Sequence, residues 1–325
     1  MATKIIGGLI AGGLFGAGLV RGGVHLPSVI QDQMLFRDFT MMKMFLTALS
    51  VSAASMWLTH RVKPKNLPEP RSIQDQMIIP GVLYSGNIIG GAVMGAGMVI
   101  GGTCPGTVYA QIGGGVANAL WALTGGLLGA YLYSIYDNNF YHRTSFEAPT
   151  LQSSWKLSRP TTYASISIAA ASAVAVLYVL TPSTPAPIIG GLLVGASQLV
   201  TLLSASIPLG MSASFVVVLG TITSSIKPLR GGYLSKFTGA DKDWWAVSTA
   251  VGAVVGSYLA STGSSSSGAA WLTAILGGAM VVFGARMAGG CTSGHGITGI
   301  STSSFSSIIT VAATFGGGMI FARFF

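Results

Sequence analysis

Charge is scarce in this chain: of its 325 residues only 8% are Asp, Glu, Lys or Arg, against about 25% in an ordinary soluble domain. Half of the residues are hydrophobic, more than a water-soluble core of this length would use. The gaps between charges are long. None falls between Asp75 and Asp137 or between Arg159 and Lys227, and from Asp243 to Arg323 the only one is Arg286. A membrane span needs about 20 apolar residues, so each of the first two stretches has room for two. Cysteine is equally sparse. Two residues, Cys104 and Cys291, are too few for a disulfide scaffold and form no Cys-x-x-Cys pair, so both read as free thiols. The four histidines lack the ligand spacing of structural zinc, and neither metal nor cofactor is expected. Eight carboxylates, few of them in apolar runs, leave little for a proton relay and favour a passive or facilitated route. The net charge of +9 does not indicate nucleic acid, because no soluble, aromatic-bearing basic module presents it. The first ten residues lack the pattern of a cleaved secretory signal, so the N-terminus is expected to be retained.

What remains is apolar and helical in pattern. Spans are expected near residues 4–20, 41–59, 82–100, 116–135, 162–181, 187–204, 208–225, 245–261, 269–287 and 304–322. The basic residues gather between them: Arg61, Lys63, Lys65 and Arg71; Arg143, Lys156 and Arg159; Lys227, Arg230, Lys236 and Lys242. The positive-inside rule places these three loops on the cytoplasmic face, of the plasma membrane. His60 and His142 sit among those charges and read as solvated. Pro64, Pro68 and Pro70 punctuate the first loop, Pro182, Pro185 and Pro187 separate two spans, and residues 264–267 read as an exposed turn.

The chain also repeats itself. Gly7-Gly8-Leu9-Ile10-Ala11-Gly12 is answered by Gly190-Gly191-Leu192-Leu193-Val194-Gly195, and the run from Gly97 through Cys104 to Gly106 by the run from Gly284 through Cys291 to Gly294. Two halves, residues 1–150 and 160–325, carry the same order of elements, a recurrent transporter plan with the site at the repeat interface. The expected architecture is an all-α polytopic membrane protein of two pseudo-symmetric halves, with short re-entrant half-helices at the cysteine motifs. Chance likeness of glycine-rich, closely packed membrane helices is the alternative.

In Gly101-Gly102-Thr103-Cys104-Pro105-Gly106 and Gly289-Gly290-Cys291-Thr292-Ser293-Gly294 an apolar run should break. Glycine frees the backbone to turn, and Pro105 suits the first turn of a new helix. The expected shape is a half-span, a break at the cysteine, and a short helix whose amino end points at the break, where free amide groups favour an anion. Gly102, Gly290 and Thr292 belong to these breaks as candidate contacts. Packing by glycine around two core cysteines is the plainer reading of one such motif; two motifs, one per half, favour a permeation path. Arg286 precedes Cys291 by five positions. Burying it unpaired costs at least ~2.5–3.5 kcal/mol, so it faces an anion path or snorkels to the interface. His295, four residues after Cys291, either contacts a ligand and tunes the thiol or is a satisfied polar group at a helix start. His25, beside Arg21 after the first span, serves either the ligand or a loop cap.

On these residues the sequence resembles the YeeE/YedE sulphur-transport family. The likeness rests on residues 16–38 with Arg21-Gly22 and Phe36-Arg37-Asp38, on residues 97–106, and above all on residues 284–296, with Arg286, Cys291 and His295 among fixed small residues. The resemblance implies a two-half membrane protein that takes up thiosulphate or a similar small anion, with thiols touching the anion's terminal sulphur. Cys104 and Cys291 match the family's cysteines in the two breaks. The family commonly carries a further cysteine where this chain has His25, so a three-thiol relay does not carry over unchanged. His25 either replaces that contact by a hydrogen bond or marks a different substrate, and selenium compounds stay open on the same ground. The expected partners are the anion, the lipid bilayer and a sulphurtransferase on the cytoplasmic side. A membrane sulphurtransferase or thiol redox protein, and a membrane protein whose glycines only pack helices, are the competing readings.

Overall fold

The computed structural model describes residues 2–69, 78–79, 81–140, 149–225, 232–237, 244–263 and 266–324, with side chains at 138–140 excepted. Pro70, Arg71, His142, Arg143, Lys227, Arg230, Lys242, Ser264 and Ser265 lie outside these residues. The chain is helical throughout: α1 (Ala2–Arg21), α2 (Pro27–Met34), α3 (Thr40–Val62), α4 (Ser85–Gly101), α5 (Thr107–Gly113), α6 (Ala119–Phe140), α7 (Leu151–Trp155), α8 (Arg159–Leu180), α9 (Ala186–Ala205), α10 (Ala213–Ser224), α11 (Gly232–Ser235), α12 (Trp244–Ala260), α13 (Trp271–Met287), a π-helical segment (Ser293–Gly299) and α14 (Phe305–Ala322). Five of them, α1, α3, α8, α9 and α14, are long and apolar enough to cross a bilayer, and α4, α10, α12 and α13 are shorter apolar helices. The protein is an all-α polytopic membrane protein.

Nine of the ten expected spans coincide with long helices. The run at 208–225 does not: α10 starts only at Ala213 and has 12 residues, about 18 Å of rise, too short for a ~30 Å hydrocarbon layer. Pro208 and Gly210 break the run, and the Gln198 side chain accepts the Leu209 N–H at 3.2 Å in place of a helical carbonyl. The helices before the cysteines also exceed the half-span expected of them. At 17 residues each, α4 and α13 rise about 25 Å, most of the hydrocarbon thickness.

Packing is by small residues. α1 lies between α9 and α12, α4 between α13 and α14, α13 also meets α6, and α3 meets α8 and α9. At the centre, α4 and α13 touch backbone to backbone: a Cβ at Gly277 would stand 2.4 Å from the Gly101 Cα and N. Without a hydrophobic force between helices in lipid, such approach is the main source of association.

Hydrogen bonds define the two ends of the bundle. Arg159 pairs with Glu69 at 3.4 Å, the Asn66 amide donates to the Leu202 carbonyl, and Thr150 bridges to Ser304. Lys63, Lys65, Lys156 and Arg159 therefore share one end. At the other, Val116 bridges to Ser266 and Asn118 donates to the Ala269 carbonyl. α1 runs antiparallel to α9, Gly7 facing Ser204 and Gly18 facing Gly190, which carries Arg21 to that second end. Lys43, a lysine inside α3, is fully buried yet satisfied: its ammonium donates to the Thr181 carbonyl and, at 2.9 Å, to Ser183, and lies 4.6 Å from the Tyr178 ring centroid. Charge at this depth is tolerable because partners replace the water.

A branched side chain forced between α4 and α13 tests this packing. Gly277→Val is expected to cost about 1–3 kcal/mol or more and to lower the melting temperature in detergent. Gly316→Ala, where an added Cβ meets nothing within 4 Å, leaves it unchanged or raised, as scanning calorimetry or thermal size-exclusion would show.

Candidate functional site

Each cysteine sits immediately after a helix that is ended by backbone geometry. α4 stops at Gly102, whose φ of 57° places it in the left-handed region and whose bare Cα leaves room for Pro27, where a Cβ would meet the ring carbon at 2.4 Å. The Gln111 side chain donates to the Gly102 carbonyl at 2.8 Å. Cys104 and Thr107 then cap each other: the Cys104 N–H donates to the Thr107 hydroxyl at 2.6 Å and the Thr107 N–H points at the Cys104 sulfur at 3.4 Å. Pro105 belongs to the turn, and α5 starts two residues later than expected from it.

α13 ends differently. Gly289, at φ 78°, donates to the Arg286 carbonyl, and Gly290 donates to the Ala285 carbonyl at 2.8 Å. This paired pattern is the Schellman ending, and it disposes of two of the four orphan carbonyls that every helix leaves. His295 takes a third. It is fully buried, with Nε2 at 3.0 Å from the Ala288 carbonyl and Nδ1 at 2.9 Å from the Ser307 hydroxyl. A carbonyl can only accept, so Nε2 carries the proton and Nδ1 accepts from Ser307. His295 thus ties the end of α13 to α14, and its ring faces neither cavity described below.

Two cavities meet at the second break. A central chamber of about 70 Å³ is walled by Phe15, Met41, Met44, Phe45, Met98 and Phe315, with Cys104, Thr107, Thr292 and Ser293 supplying its few polar groups. A cleft of about 240 Å³ is lined by Ser212, Trp245, Arg286, Gly289, Gly290 and Cys291. Thr292 and Ser293 line the chamber and Cys291 lines the cleft, and the Ser293 hydroxyl lies 3.2 Å from the Cys291 sulfur. That sulfur also meets the Ser212 hydroxyl and the backbone N–H groups of Ser212 and Gly294. The Arg286 guanidinium lies 5.9 Å from the Phe237 ring centroid, and its buried Nε has no partner among the described residues. Among the described residues no carboxylate pairs with it. A cationic, hydroxyl- and amide-lined cleft next to a thiol is suited to a small anion.

The structure therefore brings Cys104 and Thr292 together at the chamber, and Arg286, Gly290 and Cys291 together at the cleft. It does not bring His25, Arg21, Gly102 or His295 to either. His25 lies half-buried in the turn between α1 and α2, its neighbour Val24 lines the chamber, and its ring packs over Gly114, where a Cβ would stand 3.0 Å away. Its ring meets the Leu19 backbone, and among the described residues its buried Nδ1 makes no well-formed hydrogen bond. Arg21 is exposed at the end of α1. Sequence reasoning missed Ser212, Thr107 and Tyr109. Tyr109, buried on α5, holds the Ser214 hydroxyl at 2.7 Å and so joins the first break to the start of α10. The available signal for Ser212 was its place after Pro208 and Gly210, a break inside an apolar run. No group of three or more His, Cys, Asp or Glu residues comes together among the described residues.

Comparison with known proteins agrees with this geometry. The thiosulfate transporter TsuA of Spirochaeta thermophila is 26% identical over 324 residues, covering 92% of each chain. Two proteins named as probable transporters, from Xylella fastidiosa strains 9a5c and Temecula1, are 35% and 32% identical over 139 and 143 residues, about 42% of this chain and 92% of their own. They span one half of the present length. The sulphur transport family profile matches residues 21–320. With long apolar helices, two cysteine breaks and a match over most of its length, the chain belongs to the YeeE/YedE family of sulphur-transport membrane proteins.

Proposed function

We propose that this protein is a permease for thiosulphate, or a closely related small sulphur anion, and that it releases its ligand chemically unchanged. The observation that carries the reading is the pair of cavities, each with one thiol, that both reach the second break, Thr292 and Ser293 lining one and Cys291 the other. α4 starts at the basic end and α13 at the opposite end, so Cys104 lies toward the latter and Cys291 toward the former. The anion enters past Cys104, exchanges its hydrogen bonds at Thr292 and Ser293, and passes Cys291 into the cleft, where Arg286 compensates its charge. Thiols, hydroxyls and backbone amides donate at each stage, so no stage holds the ion by a full ion pair except the cleft. The likeness to a protein named as a thiosulfate transporter supports the substrate.

The halves proposed from the sequence, 1–150 and 160–325, are supported by the packing. Exchanging α1 with α9, α3 with α12, α4 with α13, α5 with the π-helical segment and α6 with α14 turns the α1–α12 contact into α9–α3, α13–α6 into α4–α14, and α5–α12 into the π segment on α3. α8 has no counterpart. Because the partners run in opposite directions across the bundle, one copy offers its break to each face. Under the positive-inside rule the end with Lys63, Lys65, Lys156 and Arg159 is cytoplasmic. A sulphurtransferase that accepts the anion at that end belongs to the same proposal.

Proteoliposomes holding the native chain are expected to accumulate labelled thiosulphate, and Cys291→Ala to reduce initial uptake to background; equal uptake by both would sink the permease route. Arg286→Gln removes a charge-assisted contact of about 1.5–3 kcal/mol, so uptake should fall about tenfold or more while Arg286→Lys retains a measurable share. Intact-mass spectrometry after exposure to thiosulphate is expected to show neither added sulphur nor a disulfide. A persulphide on Cys104 or Cys291 would favour sulphur transfer instead.

A further inference from the structure

Within the permease reading, charge and size cannot choose the substrate. Thiosulphate and sulphate are both dianions of five heavy atoms, and Arg286 with its neighbouring amides can hold the oxygens of either. The central chamber differs from the cleft in kind. Six of its walls are aromatic rings or thioethers, from Phe15, Met41, Met44, Phe45, Met98 and Phe315, and no charged side chain lines it. Met44 and Met98 are fully buried, and Phe45 and Phe315 meet edge to face with centroids 6.1 Å apart.

Its polar groups are few and partly committed. The Thr107 hydroxyl accepts the Cys104 N–H and donates back to the Cys104 carbonyl at 3.2 Å, and Ser293 is engaged with the Cys291 sulfur. That leaves the Cys104 thiol and the Thr292 hydroxyl as the donors most free to turn inward. The space is small as well. At about 70 Å³ it holds only a few waters, each of which needs at least ~10–15 Å³.

We propose that this chamber is a desolvation filter that sets the specificity of the permease, and that Met41, Met44 and Met98 are its specificity-determining residues. An ion crossing it must shed water and receive almost no donors in return. Sulphate, with four hard oxygens, loses a full set of strong hydrogen bonds. Thiosulphate turns its soft sulfur, a weak and polarisable acceptor that water solvates poorly, against the thioethers and rings, and keeps its three oxygens for Cys104 and Thr292. Methionine suits such a wall because its unbranched thioether is polarisable and adapts to the occupant. The break glycines protect this wall: a Cβ at Gly106 would meet Phe15 at 2.9 Å and one at Gly296 would meet Phe45 at 2.3 Å.

The test is competition against labelled thiosulphate in proteoliposomes of the full chain. On the native protein, thiocyanate, weakly hydrated and sulphur-ended but only monovalent, is expected to inhibit at a concentration at least tenfold below that of sulphate or selenate. Inhibition by sulphate at equal or lower concentration would overturn the filter. Met44→Gln and Met98→Gln introduce amide donors and should improve inhibition by sulphate about tenfold relative to unlabelled thiosulphate, whereas Met44→Leu, which removes the thioether but adds no donor, should leave sulphate as poor an inhibitor as before. A glutamine variant that still carries thiosulphate with native rejection of sulphate, or a leucine variant that loses rejection, contradicts the proposal; if the glutamine variants carry nothing, the native series alone decides. A native chain that takes up no thiosulphate at all would refute the permease reading itself, a result separate from any loss of selectivity.

Discussion

A helix that stops at membrane depth leaves carbonyl and amide groups that hydrocarbon cannot satisfy, and the rest of this structure depends on how those groups are paired. At the end of α13 three of the four orphan carbonyls are paired: Gly289 and Gly290 take two, and His295 takes the Ala288 carbonyl and is itself fixed by Ser307. At the end of α4, Gln111 takes the Gly102 carbonyl and Thr107 takes the Cys104 backbone. With backbone needs met by these side chains, Cys104 and Cys291 line the two cavities, and the Arg286 Nε keeps no partner among the described residues. His295, the most conspicuous polar residue of the second motif, acts as a positioning residue in this account rather than a contact.

Close packing supplies the second condition. α4 and α13 pack antiparallel through glycine, Gly101 against Gly277 and Gly90 against Gly284 and Ala288, so that their two breaks lie toward opposite ends of the bundle. The proposed route assigns dryness and shape to the chamber, exchange of donors to Thr292 and Ser293, and charge to the cleft.

Class, helix positions and both breaks were legible in the sequence because they depend on local facts: long uncharged runs, and glycine beside cysteine within them. The run at 208–225 misled because its apolar residues mask Pro208 and Gly210, and the Ser212 contact was hidden with it. Which residues look inward was not legible. In a helix apolar on every side no period separates the face toward protein from the face toward lipid, so Met41, Met44 and Met98, from two helices far apart in the chain, carried no common signal. His25 and Arg21 were placed by proximity to the first span, yet the turn between α1 and α2 directs Val24 to the chamber and His25 onto Gly114. His295 was expected on one face with Cys291 by helical spacing, but Cys291 lies outside any helix and the segment after it is π-helical.

The central claim is that a small sulphur anion occupies both cavities on its way past the two thiols. Anomalous diffraction at the selenium edge, from crystals of the full chain grown with selenosulphate, addresses it directly, because the soft terminal atom of that ion is the scatterer. The account predicts selenium peaks in the central chamber against Met44 and Met98 and in the cleft beside Cys291 and Arg286. Peaks confined to the exterior of the bundle, with both cavities empty of selenium, would contradict it.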